Sequence, residues 1–100
     1  MNTLLAVIST CYIVYANDMG PNVTREIRNH EYAHCNGWEH PKGFDPATGY
    51  KKAFVPPKKY LKKFSGRLIE FAMSSNIARQ MCLQKTGSPD LGCAIFIYEK

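Results

Sequence analysis

The sequence predicts an α+β domain, a small sheet packed on one motif-bearing helix with one or two further helices. Three observations predict it. Two apolar runs rich in β-branched and aromatic residues, CYIVYA from Cys11 and CAIFIY from Cys93, read as strands near the two ends of the chain. Between them, Val23, Ile27, His30 and His34 recur at helical spacing, as do Leu61, Phe64, Leu68 and Phe71. The chain has 100 residues, a single-domain length, so residues 1–100 are read as one unit.

The first run has two readings. Leu4 to Ala16 is apolar apart from Ser9 and Thr10, and Val14-Tyr15-Ala16 resembles a small-residue cleavage site, which suggests a signal peptide. No Lys or Arg precedes Arg25, so the positive n-region of such a peptide is missing. The run is also shorter than the ~20 residues a membrane-spanning helix needs, and no transmembrane span is expected. A buried strand is the preferred reading. The two terminal strands are expected to lie together in one sheet.

Asn17 to Asn22 is a turn cluster, after which Asn22 or Thr24 can cap a helix. That helix should run through Arg25 to about Asn36 and stop at Gly37, where a left-handed conformation is tolerated. Residues 41–57 are irregular, broken by prolines and glycines. A second helix is expected after Pro57, weakened or divided by Gly66 and Ser74-Ser75, with Ile77–Leu83 as a third segment. Thr86–Gly92 reads as a loop and Cys93–Tyr98 as the closing strand.

Apolar residues make up 45% and charged residues 21%, a globular balance that excludes global disorder. The net charge is +5, and residues 51–67 hold seven of the 13 Lys and Arg with no acid. The ordinary reading is a solvated helix face. The interleaving of Lys pairs with Phe54, Tyr60 and Phe64 also fits a single-stranded nucleic-acid binder, which is the less favoured partner.

Cys11, Cys35, Cys82 and Cys93 contain no C-x-x-C pair, which excludes a four-cysteine zinc ribbon. Four cysteines are too few for a disulfide scaffold, but an exported chain could form one or two bridges, with Cys11–Cys93 the first pair to expect. Cys35 follows His34 and points more than 90° away from it, so it reads as a small buried residue and not a ligand beside His34.

All three histidines lie in His30–His40, HEYAHCNGWEH, the pattern H-E-x-x-H-x-x-G-x-x-H. His30 and His34 stand one helical turn apart on the same face, a spacing that suits two imidazoles on one Zn²⁺. At 100° per residue, Val23, Ile27, His30 and His34 fill a stripe about 60° wide, so the metal face continues the buried face. Glu31 is displaced around the helix, placed to act as general base on a water and not as a ligand. Gly37 lets the chain turn so that His40 returns as a third ligand, and three ligands leave the fourth position open for catalysis. Asp45 and Glu70 are lower-ranked third-ligand candidates. Trp38 is placed to clamp the turn before His40.

HEYAHCNGWEHP closely resembles the HExxHCNGW…HP segment of small bacterial proteins classed as zinc metallopeptidases, often encoded near conjugative-transfer genes. The resemblance is closest over residues 11–41, where a Cys-led strand precedes the motif helix. It implies ligand roles for His30, His34 and His40, a base role for Glu31, and a protein or peptide substrate. It also implies a periplasmic or secreted location, against which the weak n-region leaves a cytoplasmic one open. The wider similarity is to the metzincins, which implies a reduced zincin-like domain; Met73 and Met81 are the candidates for the methionine turn of that group. The competing function is a non-catalytic protein stabilised by zinc, binding nucleic acid through residues 51–67. Composition and pattern leave the oligomeric state open.

Overall fold

The computed structural model describes residues 8–40 and 54–99. Among these residues, five strands and α-helices follow in order: strand β1 (Ile8–Ala16), helix α1 (Pro21–Cys35), strand β2 (Arg67–Met73), helix α2 (Ser75–Thr86) and strand β3 (Gly92–Glu99). A short 3-10 turn, Lys58–Leu61, precedes β2. The α+β expectation holds, with a three-stranded sheet and two α-helices among the described residues. Among the described residues, no helix is long and apolar enough to cross a membrane.

The sheet order is β2-β1-β3. The two terminal runs pair directly and antiparallel, Val14 opposite Cys93 and Cys11 opposite Phe96. β1 pairs in parallel with β2, Cys11 opposite Leu68. A central strand is covered on both sides, which explains why Cys11, Ile13, Val14 and Ala16 are all buried although they point alternately to opposite faces. Cys11 and Ile13 pack with Tyr32 and Cys35 of α1. Val14 and Ala16 pack with Ala78 and Cys82 of α2.

The expected Cys11–Cys93 bridge does not form. Two others do, Cys11–Cys35 and Cys82–Cys93, and Cys35 is therefore not a free buried thiol. Strand parity is the cause. Cys93 stands opposite Val14, three residues along from Cys11, and so faces the other side of the sheet. Each bridge instead ties one helix to the face it covers.

The helix expected after Pro57, running through Leu61, Phe64, Leu68 and Phe71, is also not formed. Residues 67–73 are the strand β2, and helix resumes only at Ser75. The spacing of Leu61, Phe64, Leu68 and Phe71 satisfies a helix locally, but parallel pairing to β1 gives Arg67–Met73 a full ladder. Gly66 marks the entry, where a side chain would collide with the carbonyl oxygen of Ser9. Ser74 caps α2 by accepting from the Ile77 amide, so Ser74-Ser75 starts a helix where the sequence reading had it dividing one. Asp18 adds a second tie by accepting from the Ser75 amide at 3.0 Å.

α1 starts at Pro21, earlier than Asn22 or Thr24 would cap it. Gly20, at φ 91°, is the cap residue, and proline is well tolerated in the first turn. At the other end the Gly37 amide donates to the His34 carbonyl and the Trp38 amide to the Ala33 carbonyl. This Schellman pair, with Gly37 at φ 96°, ends the helix where the sequence predicts.

Candidate metal centre

One face of α1 supplies the site. Val23, Ile27, His30 and His34 all line a cleft of about 770 Å³, which Glu31 and His40 also line. The predicted stripe is thus the cleft wall. His30 is buried, His34 partly so and His40 exposed. The turn at Gly37 brings the His40 ring to 4.8 Å from His30 and 4.9 Å from His34, centroid to centroid. One nitrogen from each ring falls within 4.8 Å of the others, so the three histidines could hold a metal ion.

The rings are oriented from behind. His30 Nδ1 lies 2.6 Å from the Phe54 carbonyl oxygen, and His34 Nδ1 lies 2.7 Å from that of Trp38. A carbonyl has no proton to give, so each Nδ1 carries the hydrogen and donates it. Each Nε2 then keeps its lone pair. The two Nε2 atoms face each other at 3.3 Å. Two lone pairs at that distance repel unless a cation or proton lies between them. Carbonyl partners behind the rings are the usual way a protein sets the tautomer of a metal-binding histidine.

Electrostatics point the same way. Burial pushes His30 down to about 4, with the neighbouring His34 and His40 adding to the effect and the Phe54 carbonyl opposing it. Burial also lowers His34, and the charge of His40 adds to this. Both rings are therefore neutral near pH 7, the state that binds metal. Trp38 stacks on His34 with ring centroids 4.9 Å apart, as well as turning the chain toward His40.

No family model, curated protein or solved structure matches the chain.

Glu31 is 7% exposed and sits in the same cleft. Burial, with a smaller contribution from the Asp90 carboxylate, pushes its carboxyl up to about 8. A cation held by the histidines acts in the opposite direction and favours the ionised form.

Room for Glu31 comes from Gly92, the first residue of β3. A Cβ there would stand 2.8 Å from Ile27 Cγ2, 2.9 Å from the Val14 carbonyl oxygen and 3.1 Å from Glu31 Cγ. The absent side chain lets α1 lie this close to the sheet.

Glu70 is not among the grouped ligands. Arg28 Nε and Nη2 donate to its two oxygens at 3.0 and 3.1 Å, and the Tyr15 hydroxyl donates to it as well. Asp45 lies outside the described residues. The Phe54 carbonyl, Asp90 and Gly92 are site features that the motif does not announce. Backbone carbonyls have no residue signature, and Asp90-Leu91-Gly92 reads only as loop.

Proposed function

We propose that the protein is a zinc-dependent metallopeptidase in which His30, His34 and His40 hold Zn²⁺ and Glu31 is the general base. The facing Nε2 pair of His30 and His34 carries this reading. Zinc–nitrogen bonds of about 2.0–2.1 Å at a tetrahedral angle set two nitrogens about 3.3–3.4 Å apart, and the observed separation is 3.3 Å. The ordered resemblance of HEYAHCNGWEHP to the zinc-peptidase motif supports the same assignment.

Bound zinc lowers the pKa of a coordinated water to about 7 and polarises the scissile carbonyl. The protein's own residues do the rest. Glu31 takes a proton from the attacking water as its oxygen bonds to the carbonyl carbon. It returns that proton to the nitrogen as the C–N bond breaks. Val23, Ile27 and Leu91 line the cleft with apolar surface beside the histidines. Two disulfides fit a periplasmic or secreted protein, since such bridges persist in oxidising compartments.

A folding-only zinc site would be completed by a fourth protein ligand. Among the described residues the group holds three, and it borders a cleft. The test is metal content together with hydrolysis of a peptide library by the purified protein and by Glu31→Gln. One zinc per chain in both proteins, with cleavage only by the parent, is the expected result. Equal cleavage by Glu31→Gln would remove the base assignment, and a zinc-free parent would remove the metal.

A further inference from the structure

Lys58, Lys59, Lys62 and Lys63 fall within six residues, and all four are exposed. Residues 54–67 contain no acid. Among the described residues the ion pair is Arg28–Glu70, and none of these lysines joins one.

The backbone beneath them is held in place. Asn36, at the end of α1, donates from Nδ2 to the carbonyls of Tyr60 and Lys62 at 2.9 and 2.8 Å. The Tyr32 hydroxyl donates to the Lys62 carbonyl at 2.8 Å and accepts from the Phe64 amide at 2.7 Å. The turn is therefore latched to the helix that carries the histidines, and its charges are displayed from a fixed frame.

The aromatic residues of this segment are not available to stack bases. Phe64 is buried and packs against Phe96, Phe54 stacks on His30, and Tyr60 is half-buried beneath the Lys59 ammonium. A single-strand binder needs free π-faces for successive bases. What the turn offers between its lysine pairs is aliphatic, Leu61 at 36% exposure, with Val55 at 57% just upstream. Cations flanking an exposed aliphatic side chain match the boundary of an anionic bilayer, where lysines meet phosphates and the aliphatic group meets the upper acyl chains.

We infer that the Lys58–Lys63 turn docks the protein on an anionic phospholipid surface. Phe54 and Val55 line the cleft and lead directly into this turn, so docking sets the cleft close to the bilayer. The inference stands apart from the peptidase reading, because the four lysines and Leu61 that carry it lie outside the histidine cleft.

The test is co-sedimentation of the full chain with vesicles of phosphatidylcholine alone or of phosphatidylcholine mixed with phosphatidylglycerol, at low and high salt. Binding to the mixed vesicles only, weakened by salt, is expected. Each lysine near such a surface is worth roughly fivefold in partitioning. The variants K58Q/K59Q and K62Q/K63Q should each weaken binding on the order of tenfold or more, with unchanged circular dichroism, and Leu61→Ala should weaken it less. No partition onto mixed vesicles at low salt would overturn the inference, as would undiminished binding by both double variants. Tighter binding of a labelled single-stranded oligonucleotide would assign the turn to nucleic acid instead. Release by an equal concentration of inorganic phosphate would reduce it to a site for free phosphate.

Discussion

His30 Nε2 and His34 Nε2 face each other at 3.3 Å, each ring turned by a carbonyl oxygen behind it. Helical spacing brings the two rings to one face, but the carbonyls of Phe54 and Trp38 choose which nitrogens meet. The pairing places lone pair against lone pair, so the metal-free site is internally repulsive. A metal ion held between them would relieve that repulsion and add to stability.

Removal of metal should therefore lower the melting temperature. A ligand present at about a thousandfold its dissociation constant stabilises the native state by about 4 kcal/mol. Chelation should remove that increment in the parent, and zinc should restore it. His34→Ala should show little response to either treatment. Differential scanning calorimetry with and without chelator checks this. Equal melting temperatures for parent protein in zinc and in chelator would oppose it.

Gly92→Ala should damage the centre without touching a ligand. The new methyl group would crowd Ile27, Glu31 and the Val14 carbonyl, two of them with contacts under 3.0 Å. Overpacking of this kind costs roughly 1–3 kcal/mol. α1 must shift away from β3 to relieve it, carrying Glu31 with it. Urea titration should show the loss of stability, and peptide cleavage should fall by more than zinc affinity does.

The Cys11–Cys35 bridge joins the central strand to the last turn of α1, next to His34. It spans 24 residues, for which the loop-entropy relation gives about 3.4 kcal/mol, against about 2.8 kcal/mol for the 11-residue span of Cys82–Cys93. Cys11→Ala/Cys35→Ala should be the more destabilising double variant. It should also weaken zinc binding, because the helix end that aims His34 and starts the turn to His40 loses its anchor. Cys82→Ala/Cys93→Ala should lower stability with a smaller effect on zinc. Denaturant curves and competitive zinc titration separate the two.

Glu70 makes a pH signature away from the metal. The hydrogen bond from Arg28 holds its carboxyl below the usual range, and the Arg28 charge and Tyr15 hydroxyl add to this against a smaller opposing effect of burial. A depressed carboxyl pKa contributes stability that is fully present above the ordinary value of 4.5 and is lost as pH falls through the folded one. Both side chains are about a third exposed, so solvent screening limits the contribution to below about 1 kcal/mol. Glu70→Gln should lower stability at neutral pH and converge with the parent in acid. A constant difference across the acid range would contradict the assignment.

Several features were legible in the amino-acid order because they are local. The spacing of His30 and His34 follows from the helical period, and the end of α1 follows from Gly37 accepting a positive φ. The strand character of CYIVYA and CAIFIY follows from their β-branched and aromatic content. Each depends only on neighbours along the chain.

Tertiary structure decided what depends on register. Arg67–Met73 has a helix-compatible period, and only the ladder to β1 makes it a strand. Cys11 found Cys35 and not Cys93 because residues three apart on a pleated sheet face opposite sides. Phe54, 24 residues beyond His30, supplies the carbonyl that sets the tautomer of that imidazole. Gly92 supplies the space for Glu31 from the far end of the chain. The sequence alone singled out the three histidines and the glutamate that the fold gathers around one cleft. Their orientation, tautomers and packing came from segments distant in sequence, because a side chain's periodicity says which way it faces but not what stands opposite.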